Sequence, residues 1–305
     1  MYKVESFYNS HKDKIKVEWN LGKRCNYDCS YCPSSIHDNT SPHTDISILK
    51  AAVDKLPNNV RISFTGGEPT VHPNFEELVR YCAQKGIHWI NLTTNGTRTP
   101  LYYFRLPVSH IVFSLHFEKD WDRVLDTIIN YAARDVEPGM RKPCMINVMA
   151  YHNKMAEVRV AVRRLDNNNI PYAIRRIRWS NDDHNLFDDM RYDQNDLDWI
   201  LSKTATVDPN TVLTYFDKTE RLHANDVIKL HKNKYKGWSC NAGLESLMIN
   251  WDGEVHRATC RVGGSLGNIY NGTFNIPIEP VLCTRDFCTC AADIPLTKVD
   301  KNALP

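Results

Sequence analysis

The chain has 305 residues, 42% of them hydrophobic, and a formal net charge of +2. That length suits one large domain, or one large and one small, and the near-neutral balance gives no ground for a general nucleic-acid coat. There is no apolar run long enough to span a membrane and no secretory character in the opening Met-Tyr-Lys-Val-Glu-Ser-Phe, so a cytoplasmic protein without a membrane partner is expected.

Lys14 to Asn20 alternates apolar and polar residues as a half-buried strand does; with about 13 residues before it, no N-terminal peptide-recognition domain is expected, which weakens the case for a peptide substrate without removing it. A loop follows with Cys25, Cys29 and Cys32, separated by three and then two residues, and with Tyr31 directly before the last thiol. Three thiols so close cannot all pair with one another, yet all can face one metal centre. Iron–sulfur clusters are held by such thiolates, and a cubane with three protein ligands keeps one iron free. A zinc knuckle is the alternative; it needs a fourth ligand, for which His37 and His43 are near enough.

Helices and strands then alternate. Ile48 to Leu56 has helical spacing, and Val60 to Phe64 is a strand ending in Thr65-Gly66-Gly67-Glu68-Pro69-Thr70. Asn74 to Lys85 is a helix stopped by Gly86, and His88 to Thr94 a strand closed by Asn95-Gly96. His110 to Leu115, Met145 to Ala150 and Tyr172 to Ile177 read as strands, with helices at Trp121 to Ala133 and Met155 to Leu165. About six βα units between residues 14 and 178 predict an α/β fold with a parallel sheet, short of a full eight-unit barrel. Ligands of such sheets bind at the C-terminal strand ends, where the Cys loop, Gly66-Gly67 and Asn95-Gly96 fall. The two glycines let the backbone approach a ligand closely, Glu68 offers an acceptor for an ammonium, and Pro69 stiffens the exit. Asn147 and Arg175 or Arg178 are candidates to face the barrel lumen. Cys82 and Cys144 read as buried small hydrophobes.

Residues 179 to 238 are polar. Trp179 to Asp189 is an acidic loop whose spacing excludes an EF-hand. Gln194 to Leu201 is a short helix and Thr211 to Phe216 a strand. Asn225 to Lys236 is basic through Lys229, Lys232, Lys234 and Lys236, either a solvated helix face or an attractor of acidic substrate or nucleic acid. From Gly237 the character changes. Cys240 leads to a strand at Ser246 to Trp251, a tight turn at Asp252-Gly253 and a return strand toward Cys260; Gly264 to Gly272 is a loop, and Cys283, Cys288 and Cys290 follow. The hairpin and the later thiols make a four-thiolate cage, with five thiols on offer; a structural zinc site is the competing reading.

The Cys-x3-Cys-x2-Cys spacing with Tyr31, followed one βα unit later by Gly66-Gly67-Glu68-Pro69, resembles the signature of the radical S-adenosylmethionine (SAM) enzymes. The resemblance implies a partial (β/α)6 TIM-type barrel. It implies that Cys25, Cys29 and Cys32 hold a [4Fe–4S] cluster whose free iron chelates SAM. An electron, from an external donor of flavodoxin or ferredoxin type, then cleaves SAM to a 5′-deoxyadenosyl radical that takes hydrogen from a substrate. It further implies cofactor contacts from Tyr31, Gly66, Gly67, Glu68 (to the amino group of SAM), Pro69, Thr94, Asn95, Ser114, His116, Asn147 and Arg175.

After such a core, the order Cys240, Asp252-Gly253, Cys260, Gly267-Asn268-Ile269-Tyr270 resembles the SPASM or twitch extension, a small C-terminal domain with an auxiliary [4Fe–4S] cluster. Five thiols suggest one such cluster, with Cys240, Cys260, Cys288 and Cys290 the first choice of ligands and Cys283 a possible replacement. The expected division is a core at 1–178, a connecting segment at 179–236 and an auxiliary-cluster domain at 237–305. The expected substrate is a peptide or protein side chain, with a nucleoside, sugar or cofactor precursor as the alternative. A zinc-structured RNA-binding protein is the reading from another class; it leaves Gly66-Gly67-Glu68-Pro69 unexplained.

Overall fold

The structure is a computed structural model and describes residues 1, 3–8, 13–137, 140–141, 143–180, 186–188, 191–203 and 205–302. Six parallel strands build the barrel wall: β1 (Ile15–Asn20), β2 (Val60–Thr65), β3 (Ile90–Thr94), β4 (His110–Leu115), β5 (Cys144–Ala150) and β6 (Tyr172–Arg176). They are joined by α1 (Ile46–Lys55), α2 (Phe75–Gln84), α3 (Pro100–Arg105), α4 (Trp121–Ala132) and α5 (Met155–Asn167). This is the expected α/β partial barrel. Each strand has two unlike faces. Val17 and Trp19, Ile62 and Phe64, Ile111 and Phe113, Ile146 and Val148 are buried under the helices, while Lys16, Glu18, Arg61, Ser63, Asn91 and Asn147 alternate with them on the lumen face. A lumen face this polar is built to meet polar ligands.

Helix α3 has no apolar stripe long enough to be read from sequence. It forms because the Thr99 hydroxyl accepts the Tyr102 N–H at 3.3 Å and Pro100 occupies the first helical position. Buried Tyr103 then anchors it.

The sheet does not stop at β1. The C-terminal hairpin adds β7 (Ser246–Ile249), parallel to β1 with Leu247 beside Val17, then β8 (Glu254–His256) and β9 (Ser265–Asn268). The full order is β9-β8-β7-β1-β2-β3-β4-β5-β6. Residues 265–268 were expected to be loop. They pair because Gly267, at φ 102° and with Thr273 O 2.4 Å from where a Cβ would sit, admits the chain where a side chain could not fit.

A second, six-stranded sheet joins both termini to the middle of the chain. Lys3–Ser6 pairs with Thr211–Thr214 and with Lys298–Val299, and Ser239–Cys240 lies between Lys298–Val299 and Val281–Leu282. A strand therefore precedes the one expected to be first. The short helix expected at Gln194 to Leu201 forms as α6 (Gln194–Ser202), and the basic stretch at 225–236 is helical only in α7 (Ala224–Lys229), which ends before His231 at φ 56°. Its Lys229, Lys232 and Lys236 pair with Asp226, Glu220 and Asp286, so it is not an open basic face. The acidic loop expected at 179–189 lies largely outside the described residues; Arg178–Ser180 and Leu186–Asp188 form a small hairpin. No helix among the described residues is long and apolar enough to cross a membrane.

Candidate active site

At the C-terminal ends of β1 to β6 lies a cavity of about 470 Å³, a volume typical of small-molecule sites. Cys25, Cys29 and Cys32 line it, together with Tyr31, Gly66, Gly67, Glu68, Thr94 and Asn95 from the neighbouring strand ends, and Ser114, His116 and Arg175.

The Cys loop is shaped by β2. Gly67 N–H donates to Gly22 O and Glu68 N–H to Arg24 O, both at 2.8 Å. A Cβ on Gly67 would stand 2.2 Å from Arg24 O, and one on Gly66, at φ 122°, 2.3 Å from Asn20 Oδ1. The glycine pair thus admits the stem of the thiol loop itself, in addition to fronting the cavity.

Glu68 is buried, and its carboxylate is the junction of the site. Oε1 accepts from Thr70 N–H at 3.0 Å, Thr70 Oγ1 at 2.6 Å and Thr94 Oγ1 at 2.8 Å; Oε2 accepts the Asn95 N–H at 2.6 Å. Burial pushes this carboxyl above the usual range, against the pull of those donors. A free acceptor for an ammonium was expected here. Most of the carboxylate is spent inside the protein, on holding the end of β3 against the turn after β2. Asn95 passes that order on: its Nδ2 donates to Asn26 Oδ1 at 2.7 Å and approaches Cys25 Sγ at 3.8 Å.

The thiols are not ionised by their surroundings. Burial pushes Cys29 up to about 12 and Cys32 up to about 11, and raises Cys25 as well. Such thiols become ligands when a metal displaces the proton. Cys25 Sγ also accepts the Tyr27 N–H at 3.3 Å, the kind of contact that tunes a cluster's potential. Tyr31 packs between His116 and Tyr151, and its hydroxyl lies 2.7 Å from His116 Nδ1. Burial holds His116 down at about 4, so the ring is neutral at pH 7.

Two expected site residues are elsewhere. Pro69 opens a short 3-10 turn, and Asn147 sits on the lumen face with its Oδ1 buried and unpartnered; neither lines the cavity. Other supports were not foreseen. Glu118 accepts from Ser30 N–H and Ser30 Oγ, each at 2.7 Å, and Asn39 Oδ1 accepts the Cys25 N–H at 2.8 Å. Asn225 and Thr289 reach the cavity from the far side of the chain. No local pattern announces such partners, which lie 14 to 88 residues away in sequence in the case of the loop contacts.

Four C-terminal thiols, Cys240, Cys260, Cys283 and Cys288, line a smaller void of about 20 Å³. Cys290 is not among them. It lies on the barrel side, within electrostatic reach of Lys16, Glu18 and Arg175. Among the described residues no three His, Cys, Asp or Glu side chains converge tightly enough to share one ion. Thiolates on a cubane each take a different iron and stand farther apart than ligands of a single tetrahedral zinc.

Residues 19–165 match the profile of the Radical SAM superfamily. The chain therefore carries a Radical SAM domain. The radical SAM fold is also seen in solved structures: native anSMEcpe with bound AdoMet (TM-score 0.54, 14% identity, covering 85% of this chain and 79% of that one) and Streptococcus suis SuiB bound to precursor peptide SuiA (TM-score 0.52, 15% identity, 87% and 65%). Among curated radical SAM relatives, Fe-coproporphyrin III synthase of Methanosarcina barkeri (strain Fusaro / DSM 804) is 35% identical over 92 residues, 29% of this chain and 23% of the relative. Mycofactocin maturase MftC of Mycobacterium tuberculosis is 31% identical over 112 residues, 36% and 28%. The chain thus matches only about a quarter of the length of these curated relatives. A radical SAM enzyme carries a [4Fe–4S] cluster with SAM and draws on a reductant. The residues here fit that group: three thiols on one loop, two backbone-tight glycines and an ordered Asn95 meet around one cavity of sufficient size.

Proposed function

We propose that this chain reductively cleaves SAM and uses the product to take a hydrogen atom from a substrate bound in the same cavity. A [4Fe–4S] cluster held there would provide the single electron that reductive cleavage of the SAM sulfonium requires, with methionine and a 5′-deoxyadenosyl group as the two fragments. Cys25, Cys29 and Cys32 would hold the cluster. Glu68 orders Asn95 and the β2 turn, Tyr31 and His116 form an apolar wall with a neutral imidazole, and Ser114 offers a hydroxyl to the ligand. The observation that carries this reading is the meeting of the three thiols and the Glu68–Asn95 junction on one 470 Å³ cavity.

The second thiol group is read as an auxiliary cluster site held by Cys240, Cys260, Cys283 and Cys288. This set departs from the first choice made on sequence, Cys290 giving way to Cys283. Such a cluster would carry an electron away from the substrate radical or anchor the substrate. The chain is then a core at 1–178 and an extension at 237–305, tied together through β7 and β1. The proposed substrate is a peptide or protein side chain, in keeping with the likeness to MftC and to the fold of SuiB; a small molecule is the second reading. A flavodoxin or ferredoxin would be the donor, and a cytoplasmic setting suits these oxygen-sensitive parts.

Anaerobically purified protein should be brown, bleach with dithionite and release 5′-deoxyadenosine from SAM, and Cys29→Ala should abolish that release. Colourless protein with stoichiometric zinc would overturn the proposal.

A further inference from the structure

The cavity changes character toward β6. Arg175, half-buried near the end of that strand, lines it and donates from Nη1 to Asn225 Oδ1 at 2.8 Å. No carboxylate pairs with Arg175 among the described residues; its partner is a neutral amide. Asn225 is 8% exposed, lines the same cavity, and its Nδ2 has no hydrogen-bond partner. A cation held away from water without an anion is costly, and so is a buried amide N–H without an acceptor. Both residues line one cavity. The one carboxylate on the cavity lining among the described residues, Glu68, is on β2 and engaged by Thr70, Thr94 and Asn95. Ile174, Leu197, Leu201 and Ile228 add apolar surface beside Arg175, and the Lys229 that also lines the wall is already paired with Asp226.

We propose that Arg175 and Asn225 are a clamp for a carboxylate or phosphate of the substrate, with the neighbouring apolar wall taking the hydrocarbon next to that group. The guanidinium presents a planar fork to two anionic oxygens, and the Asn225 amide supplies a further N–H from the side. Arg175 is thus assigned to substrate and not to SAM. The clamp rests on the cavity being the reaction chamber, and it names what enters: an acid, whether an acidic peptide side chain, a chain terminus or a phosphorylated small molecule.

The test is calorimetric titration of the full chain, cluster-loaded and with saturating SAM, with phenylbutyrate, phenyl phosphate and the neutral phenylbutanamide. The unmodified chain should bind at least one acid about tenfold or more tightly than the amide, the size expected of a charge-assisted pair. Which acid wins identifies carboxylate or phosphate as the native group. Asn225→Asp places a carboxylate against the guanidinium, so it should erase the preference and raise the melting temperature. Arg175→Gln should also erase the preference. Equal binding of acids and amide, or an undiminished preference in both variants, overturns the clamp. So does a loss in Arg175→Gln that falls on SAM affinity instead, since that assigns the arginine to the cofactor. Protein that cleaves SAM but ignores the acids sinks the clamp alone; protein that prefers the acids but never cleaves SAM sinks the proposed activity and leaves the clamp standing as an anion site.

Discussion

The Glu68 carboxylate accepts the backbone N–H of Asn95 at 2.6 Å, across 27 residues of sequence. One short contact thereby locks the turn after β2 to the end of β3, and the Asn95 side chain extends the lock to the thiol loop through Asn26 and Cys25.

Glu68→Gln keeps the shape but turns an NH2 toward N–H and O–H donors on one side. A buried polar conflict of this kind should lower stability by about 3 kcal/mol. Urea denaturation of the cluster-free protein measures it, and a loss below about 0.5 kcal/mol would mean the junction is not structural.

Gly67→Ala should be worse for cluster assembly than for folding of the helices. The added methyl meets Arg24 O at 2.2 Å, so the stem of the thiol loop must move. Iron and sulfide content after reconstitution should fall by at least about tenfold, the scale of supporting-residue losses at metal sites. Normal iron content would show that the loop tolerates the shift.

In the second thiol group, replacing Cys240, Cys260, Cys283 or Cys288 by alanine should remove one cluster's worth of iron. Cys290→Ala should leave it, because Cys290 does not border the void the other four share. Iron counting and electron paramagnetic resonance of the reduced variants separate the two results; equal loss for Cys290→Ala would restore the ligand set first expected from sequence.

Acid should loosen the region around α7. Burial holds His223 down at about 4, against an ordinary 6.5, with Arg175 adding to the shift and Asp226 opposing it. Its neutral Nδ1 accepts the Asn225 N–H at 3.3 Å and caps the helix. A base whose folded value is depressed gives full stability above its unfolded value and loses it on acidification through the folded one. About 3 kcal/mol should therefore disappear between pH 6.5 and about 4. His223→Asn keeps a capping side chain without a titrating ring. Its stability, followed by urea titration across that range, should fall less steeply than that of the unmodified chain.

How much of this was legible depends on distance along the chain. The α/β alternation, the thiol loop and Gly66-Gly67-Glu68-Pro69 are written in windows of a few residues, and each formed where its pattern placed it. Helix α3 and strand β9 escaped, since one rests on a single cap and a buried tyrosine and the other is interrupted by glycine. The use of Glu68 as an internal junction was illegible: its partners Thr94 and Asn95 carry no mark of it.

By itself the sequence determined the chemistry on offer: three thiols on one loop, a glycine turn that lets backbone pass, and a sheet whose strand ends gather them. Spacing, turn conformation and hydrophobic period are local properties, so they survive without knowledge of the fold. Only the tertiary structure decided which four late thiols share a void, that the first residues close a second sheet, and that Arg175 faces Asn225 instead of a carboxylate. Those outcomes depend on packing between separate segments, 50 residues apart in the case of Arg175 and Asn225, and burial, which makes an unpaired cation or amide significant, exists only once those segments have met.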